Sequence, residues 1–253
     1  MSIDKIKIQP ADEKWTKTRY KNLLEQIDLC RPQIIFEFGV WKGFSAIRMM
    51  KQAMQHRQDC FYIGIDMFEN ITVEEAKWEN HTKDLAIKKK VIALLKQELG
   101  PNRFCVVGGA TKQVFRGVRR KILKGLLFRH YADFIFIDGG HSVETITHDW
   151  FAAESIMNEK TVVIFDDYYR DITDIGAFTT VEYIISQKCF NIEYLQPIDH
   201  FKTSDGRPQP TQMVKVTRVT DNQQGGLEQS HGLDENKLHN PYLQESSWDD
   251  DED

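Results

Sequence analysis

The sequence predicts an α/β fold in which a seven-stranded, mostly parallel sheet carries helices on both faces and is closed by an antiparallel terminal hairpin. Three observations carry the prediction. Short apolar runs rich in Ile, Val and Phe alternate with longer stretches of helical periodicity, the pattern of buried parallel strands joined by helical crossovers. The last two strand-like runs, Phe190–Leu195 and Gln212–Val219, are joined by a proline-containing loop without a helical stretch, so they should pair antiparallel. The first run, Ile34–Phe38, leads into a turn with Gly39 and Gly43 and then into the helical stretch Phe44–His56, the arrangement that builds a ligand cradle at the carboxyl end of a strand.

Taken in order, residues 1–30 are an N-terminal segment and helix, residues 31–220 the main domain, and residues 221–253 a disordered acidic tail. From Lys14 to Leu29 apolar side chains recur at Trp15, Leu23, Leu24, Ile27 and Leu29, and the pattern stops before Arg31-Pro32. This helix is expected to pack on the sheet, with a lid role for Trp15 and Tyr20 as the alternative. Phe61–Asp66 is a second strand, and residues 67–84 form an irregular polar and aromatic excursion near the site, with Phe68, Trp78 and His81. Leu85–Leu99 is a helix stopped by Gly100-Pro101, since proline cannot continue it. Phe104–Val107 is a third strand, followed by the loop Gly108–Ala110 and a helix over Thr111–Leu127. Asp133–Asp138 is a fourth strand, Glu144–Asn158 a helix with Ile146, Trp150, Phe151, Ala153 and Met157 turned inward, and Thr161–Asp167 a fifth strand. Gly176–Lys188 is the helix before the hairpin. Beyond Asp221 the chain is too polar to bury surface of its own.

The turn decides between ligands. A dinucleotide site needs G-x-G-x-x-G so that its middle glycine admits a pyrophosphate. Here Val40, Trp41 and Lys42 separate Gly39 from Gly43. S-adenosylmethionine lacks a pyrophosphate, but Glu37 can hold its amino group, and Ser45 with the helix N-terminus can receive its carboxylate. Asp66, ending the second strand, has paired acceptors that match a ribose diol, and the adenine edge would lie at Gly108–Ala110. The same turn also occurs in other α/β proteins, and a strand-end Asp can simply cap the next turn.

Asp138, Asp166 and Asp167 end two further strands. Three carboxylates at one mouth repel unless a hard cation sits among them, and an all-oxygen donor set favours Mg²⁺ or another divalent cation of that kind. Such an ion would hold a substrate hydroxyl and lower its pKa. His141 follows Asp138 by one turn, where an imidazole could take the hydroxyl proton, or merely cap the following helix.

Composition bounds the partners. The net charge of -5 is matched by the acids Asp249–Asp253, leaving a near-neutral body without a nucleic-acid footprint. The four cysteines form no C-x-x-C pair and read as reduced core residues, which disfavours zinc. No charged-then-apolar leader opens the chain, and no apolar run approaches the ~20 residues of a membrane span, so a soluble cytoplasmic protein is expected.

The blocks EFGVWKGFSA, IDMFEN, FIDGGHSVE and FDDYY, spread over roughly Ile34 to Lys188, resemble those of the macrocin O-methyltransferase (TylF-like) family and related sugar O-methyltransferases of antibiotic biosynthesis. The resemblance implies a class I, Rossmann-like methyltransferase fold, S-adenosylmethionine as donor, Mg²⁺ dependence and methylation of a hydroxyl, often on a sugar. Asp138, Asp166 and Asp167 match the family's metal acids, and His141 matches a catalytic His of mycinamicin-type members. On this reading Glu37, Gly39, Gly43, Ser45, Asp66, Ala110 and Asp138 hold the cofactor, and Tyr168, Tyr169, Arg170 and the Asp199–Pro210 loop meet the acceptor. The expected partner is a small-molecule hydroxyl acceptor, with no nucleic acid and no membrane; self-association is left open. Two alternatives stand beside it: a metal-independent methyltransferase acting on an amine or carboxylate, and a non-catalytic S-adenosylmethionine-binding interaction module. A dehydrogenase is disfavoured by the glycine spacing and the terminal hairpin.

Overall fold

The computed structural model describes residues 19–79, 86–202 and 208–220. The expected acidic tail, Trp15 and His81 lie outside these residues. In chain order the elements are α1 (Arg19–Cys30), β1 (Ile34–Phe38), α2 (Phe44–His56), β2 (Phe61–Asp66), a 3₁₀ turn (Phe68–Asn70), α3 (Val73–Trp78) and α4 (Lys88–Leu99). There follow β3 (Phe104–Gly108), α5 (Thr111–Val118) running on as a π-helix (Arg119–Leu126), β4 (Phe134–Ile137), α6 (Val143–Glu154), β5 (Val162–Tyr168) and α7 (Phe178–Ser186). The chain closes with β6 (Phe190–Tyr194), β7 (Asp199–Lys202) and β8 (Pro208–Arg218).

The sheet order is β3-β2-β1-β4-β5-β8-β6, with β7 also pairing β8. Strands β1 to β5 are parallel to their neighbours, while β8 runs antiparallel to β5, β6 and β7. Among the described residues the strand number is therefore eight rather than seven. The difference lies in the expected Asp199–Pro210 loop, whose first residues pair as β7 with Pro208–Thr211. The excursion after β2 is likewise less irregular than expected, since it holds a 3₁₀ turn and α3.

Every residue of β1 is buried, as a central strand covered on both faces requires. Its alternation divides the core. Phe36 and Phe38 join Phe115, Trp150 and Phe165 on the side of α5, α6 and α7. Ile35 joins Tyr20, Leu23, Ile27, Met49 and Leu95 on the side of α1, α2 and α4. The single helix expected over Thr111–Leu127 widens after Val118, where the Leu127 N–H donates to the Ile122 carbonyl at 3.0 Å; the wider turn leaves Leu123 wholly buried and Ile122 and Leu127 against the same core. Among the described residues no helix is long and apolar enough to cross a membrane.

Candidate active site

The parallel strands end together at one edge of the sheet, and an open cleft of about 970 Å³ lies there. Its floor is where β1 and β4 end. Gly39 has φ 91°, and a Cβ on it would stand 2.1 Å from the Asp138 carbonyl oxygen, so no side chain fits between the two strand ends. Main chain at Gly39, Gly139 and Gly140 thus forms the cleft bottom, open to close approach by a ligand.

Asp66 forms one wall. Its carboxylate also holds the glycine turn, accepting from Val40 N at 2.8 Å, Trp41 N at 2.7 Å and Phe68 N at 2.6 Å. It therefore caps the turn and faces the cleft at once. From Asp66, whose carbonyl accepts from Gly109 N at 2.9 Å, the lining continues through Ala110 and Thr111 to His148 and Asp149. Asp149 accepts from the Thr111 hydroxyl at 2.5 Å. Burial pushes its carboxyl up to about 7; the Thr111 bond opposes this, and the charges of Glu79 and Asp66 add to it. His148 Nδ1 is buried without a hydrogen-bond partner. These two residues were not among the expected ones, because a helix interior gives no sequence sign of which turn meets a cleft. They fit an adenine, whose ring nitrogens accept and whose amino group donates.

Gly39, Asp66, Ala110 and Asp138 line the cleft as expected, whereas Glu37, Gly43 and Ser45 do not. Glu37 shares its face of β1 with Ile35; it is wholly buried and accepts from the Tyr62 hydroxyl inside the core. Gly43 faces α4, where a Cβ would lie 3.1 Å from Val91 and 3.6 Å from Leu95. Tyr168 is also displaced from its expected role, since it is buried among Phe178 and Tyr194.

Beyond Asp138 the floor continues into a recess lined by Asp166 and Asp167. Each of the three acids offers an oxygen within 4.8 Å of the others, so the expected cluster forms. A cation of the protein already lies in it. The Arg19 guanidinium meets Asp166 through Nε–Oδ1 at 2.8 Å and Nη2–Oδ2 at 3.0 Å, with Asp167 Oδ1 at 3.6 Å and Asp199 Oδ2 at 3.9 Å. The Tyr20 hydroxyl donates to Asp166 Oδ2 at 2.8 Å, and burial beside Asp138 and Asp166 keeps that phenol protonated. A small ion that demands near-ideal octahedral oxygens at ~2.0–2.1 Å would have to compete with the guanidinium for these carboxylates. The acids expected for Mg²⁺ are thus assembled, with a protein cation already paired to two of them.

His141 is half-buried, with Nε2 3.0 Å from Asp167 Oδ2 and Nδ1 3.1 Å from the Glu79 carbonyl. Burial lowers its pKa, but the hydrogen bond and charge of Asp167, with Asp138 behind, outweigh it and raise the imidazole to about 9. At neutral pH it therefore holds a proton that it would have to give up to act as the expected general base.

The excursion is latched over the cleft by Glu79, missed in the sequence because it lies in an irregular stretch. Its carboxylate accepts from Ser142 N at 2.9 Å, Ser142 Oγ at 2.7 Å and Thr145 Oγ1 at 2.6 Å at the start of α6. Burial works against the charge, but these bonds hold the carboxyl below its usual value, and an acid at a helix N-terminus is favoured.

A family profile described as a methyltransferase domain matches residues 36–168. No curated protein matches the chain by sequence. Among solved structures, an O-methyltransferase from Bacillus cereus in complex with SAH is similar with a TM-score of 0.56 at 15% identity, over 79% of this chain and 80% of that one. The O-methyltransferase TomG from Streptomyces achromogenes, involved in tomaymycin synthesis and bound to SAM, gives 0.54 at 15% identity, over 78% of each chain. The SAH-bound methyltransferase PaMTH1 from Podospora anserina gives 0.52 at 10% identity, over 82% and 86%.

Proposed function

The chain belongs to the methyltransferase-domain family, and from that premise we propose that it transfers the methyl of S-adenosylmethionine to a hydroxyl of a small molecule. One observation carries the reading: Asp138 lines both the cofactor cleft and the carboxylate recess. A donor held in the first and an acceptor held at the second meet at this residue. When bound, S-adenosylmethionine supplies a sulfonium methyl with no further activation required.

The chain's own groups do the rest. The glycine floor at Gly39 and Gly139 admits the cofactor; Asp66 takes the ribose side, and His148 and Asp149 the adenine side. Asp138 accepts the proton that leaves the acceptor oxygen. His141, already protonated, holds Asp167 in place and is a positioning residue. No step is derived through a divalent ion. The resemblance of the sequence blocks to the macrocin family supports trying sugar hydroxyls first, with phenols beside them.

The test is calorimetric titration of S-adenosylmethionine and, separately, NADH, followed by transfer of a labelled methyl to panels of hydroxyl, amine and carboxylate acceptors. Saturable binding of S-adenosylmethionine alone and label confined to hydroxyls are expected. Label in amines or carboxylates only would overturn the O-methyl assignment, and absence of cofactor binding would overturn the whole reading. Asp138→Asn is expected to lower kcat by ~10²–10⁴-fold, the range for losing a proton acceptor, while leaving a folded, cofactor-binding chain.

A further inference from the structure

We infer that Arg19 is the resident cation of the carboxylate cluster, holding the place of a divalent ion, so that methyl transfer by this chain runs without metal. Metal-free transfer rests on the methyltransferase reading, whereas the place of the Arg19 cation does not.

Position comes first. Nη2 of Arg19 lies 3.0 Å from Asp166 Oδ2 and 3.6 Å from Asp167 Oδ1, bridging the two acids that an ion would bridge. Nε lies 2.8 Å from Asp166 Oδ1, an ion-pair contact beside the hydrogen bond from Nη2. A planar guanidinium matches a carboxylate in this two-pronged way, which a spherical ion of higher charge would have to break.

The arrangement is also built into the fold. Arg19 is 2% exposed and Asp166 3%. A buried guanidinium is tolerated only when paired and hydrogen-bonded. Here the fold supplies both. The Tyr20 hydroxyl shares the Asp166 oxygen, and the Tyr20 ring lies 4.9 Å from the Arg19 guanidinium carbon. The backbone N–H of Arg19 donates to Asp199 Oδ2 at 3.3 Å. Behind them Leu23 and Ile27 pin α1 into the core, so withdrawing Arg19 means moving the helix.

Charge balance agrees. A dication added among these acids would meet a guanidinium that lies 3.0 Å from Asp166 and 3.6 Å from Asp167, a like charge whose repulsion falls only as 1/r. His141, 3.0 Å from Asp167 on the far side, gives that acid a partner of its own.

The experiment uses the full chain and Mn²⁺ alone as probe, followed by electron paramagnetic resonance, with S-adenosylmethionine binding measured in parallel with and without EDTA. In the unaltered chain Mn²⁺ is expected to stay free into the millimolar range, and cofactor binding to be indifferent to EDTA. Arg19→Met is expected to gain a single bound Mn²⁺ that a further Asp166→Asn removes. Mn²⁺ bound by the unaltered chain and lost in Asp166→Asn overturns the inference, as does a folded Arg19→Met that gains no Mn²⁺. If Arg19→Met does not fold, the unaltered chain decides on its own by the same two outcomes, free or Asp166-dependent Mn²⁺. Failure of the methyltransferase reading looks different, because S-adenosylmethionine then binds in neither buffer.

Discussion

Neighbouring side chains on a regular strand point to opposite faces, so Asp166 and Asp167 share one recess only because β5 is irregular there. Phe165 pairs with Val214 and Tyr168 with Gln212, leaving an extra residue on β5, and Asp167 takes φ 53°. Such a bulge re-aims a side chain. Gly39 is the second backbone device. Gly39→Ala is expected to cost roughly 2–5 kcal/mol, from left-handed strain and from overpacking against Asp138, and calorimetric melting would read it. Asp149 offers a pH test. Its carboxyl is raised from the ordinary 3.8 to about 7, so the folded state keeps a proton that the unfolded chain releases. Stability is then greatest below the unfolded value and falls as pH rises toward 7. Asp149→Asn should flatten that fall, measured as denaturation midpoints between pH 4 and 7. The strand-end acids and the cradle glycines were legible because position at a strand end is itself a sequence feature. Glu37 was misassigned although its parity with Ile35, rather than with Phe36 and Phe38, pointed to the other face.

At the level of elements, two segments distant from the strand ends finish the site. Helix α1 brings Arg19 and Tyr20, and the excursion with α3 brings Glu79. Periodicity located α1 from Arg19 onward, the expected start at Lys14 lying outside the described residues, and favoured packing on the sheet, which Leu23 and Ile27 bear out. It could not tell that the first turn of that helix ends on Asp166, because a contact spanning 147 positions leaves no local trace. Glu79→Ala is expected to destabilise the chain by roughly 2–4 kcal/mol, since it strips bonds to a charged acceptor. It should do so locally. Amide exchange would accelerate over residues 67–79 and at the start of α6, while β1 and β4 stay protected; uniform acceleration would show that Glu79 is not a latch.

For the molecule as a whole, strand–helix alternation and the missing helix before the last strands were enough to read the α/β class and the antiparallel end. Short β7 escaped because its partner, Pro208–Thr211, is rich in proline and polar residues. The side of the core that carries α6 depends on Trp150, wholly buried with ring centroids 5.8 Å from Phe165 and 5.1 Å from Phe190. Trp150→Ala should cost ~3–5 kcal/mol, read as a shifted urea midpoint. The sheet order has one more consequence, in the order of synthesis. Strand β8 leaves the ribosome after both β5 and β6, yet it lies between them. Until it arrives, β5 and β6 each present a bare edge, the surface most prone to pairing with other chains. The Arg19 helix, made well before them, packs against both β8 and Asp199. Nascent chains must therefore wait for β8 before the recess can hold its own cation, and a chaperone that shields the β5 edge during that interval should raise the yield of folded protein.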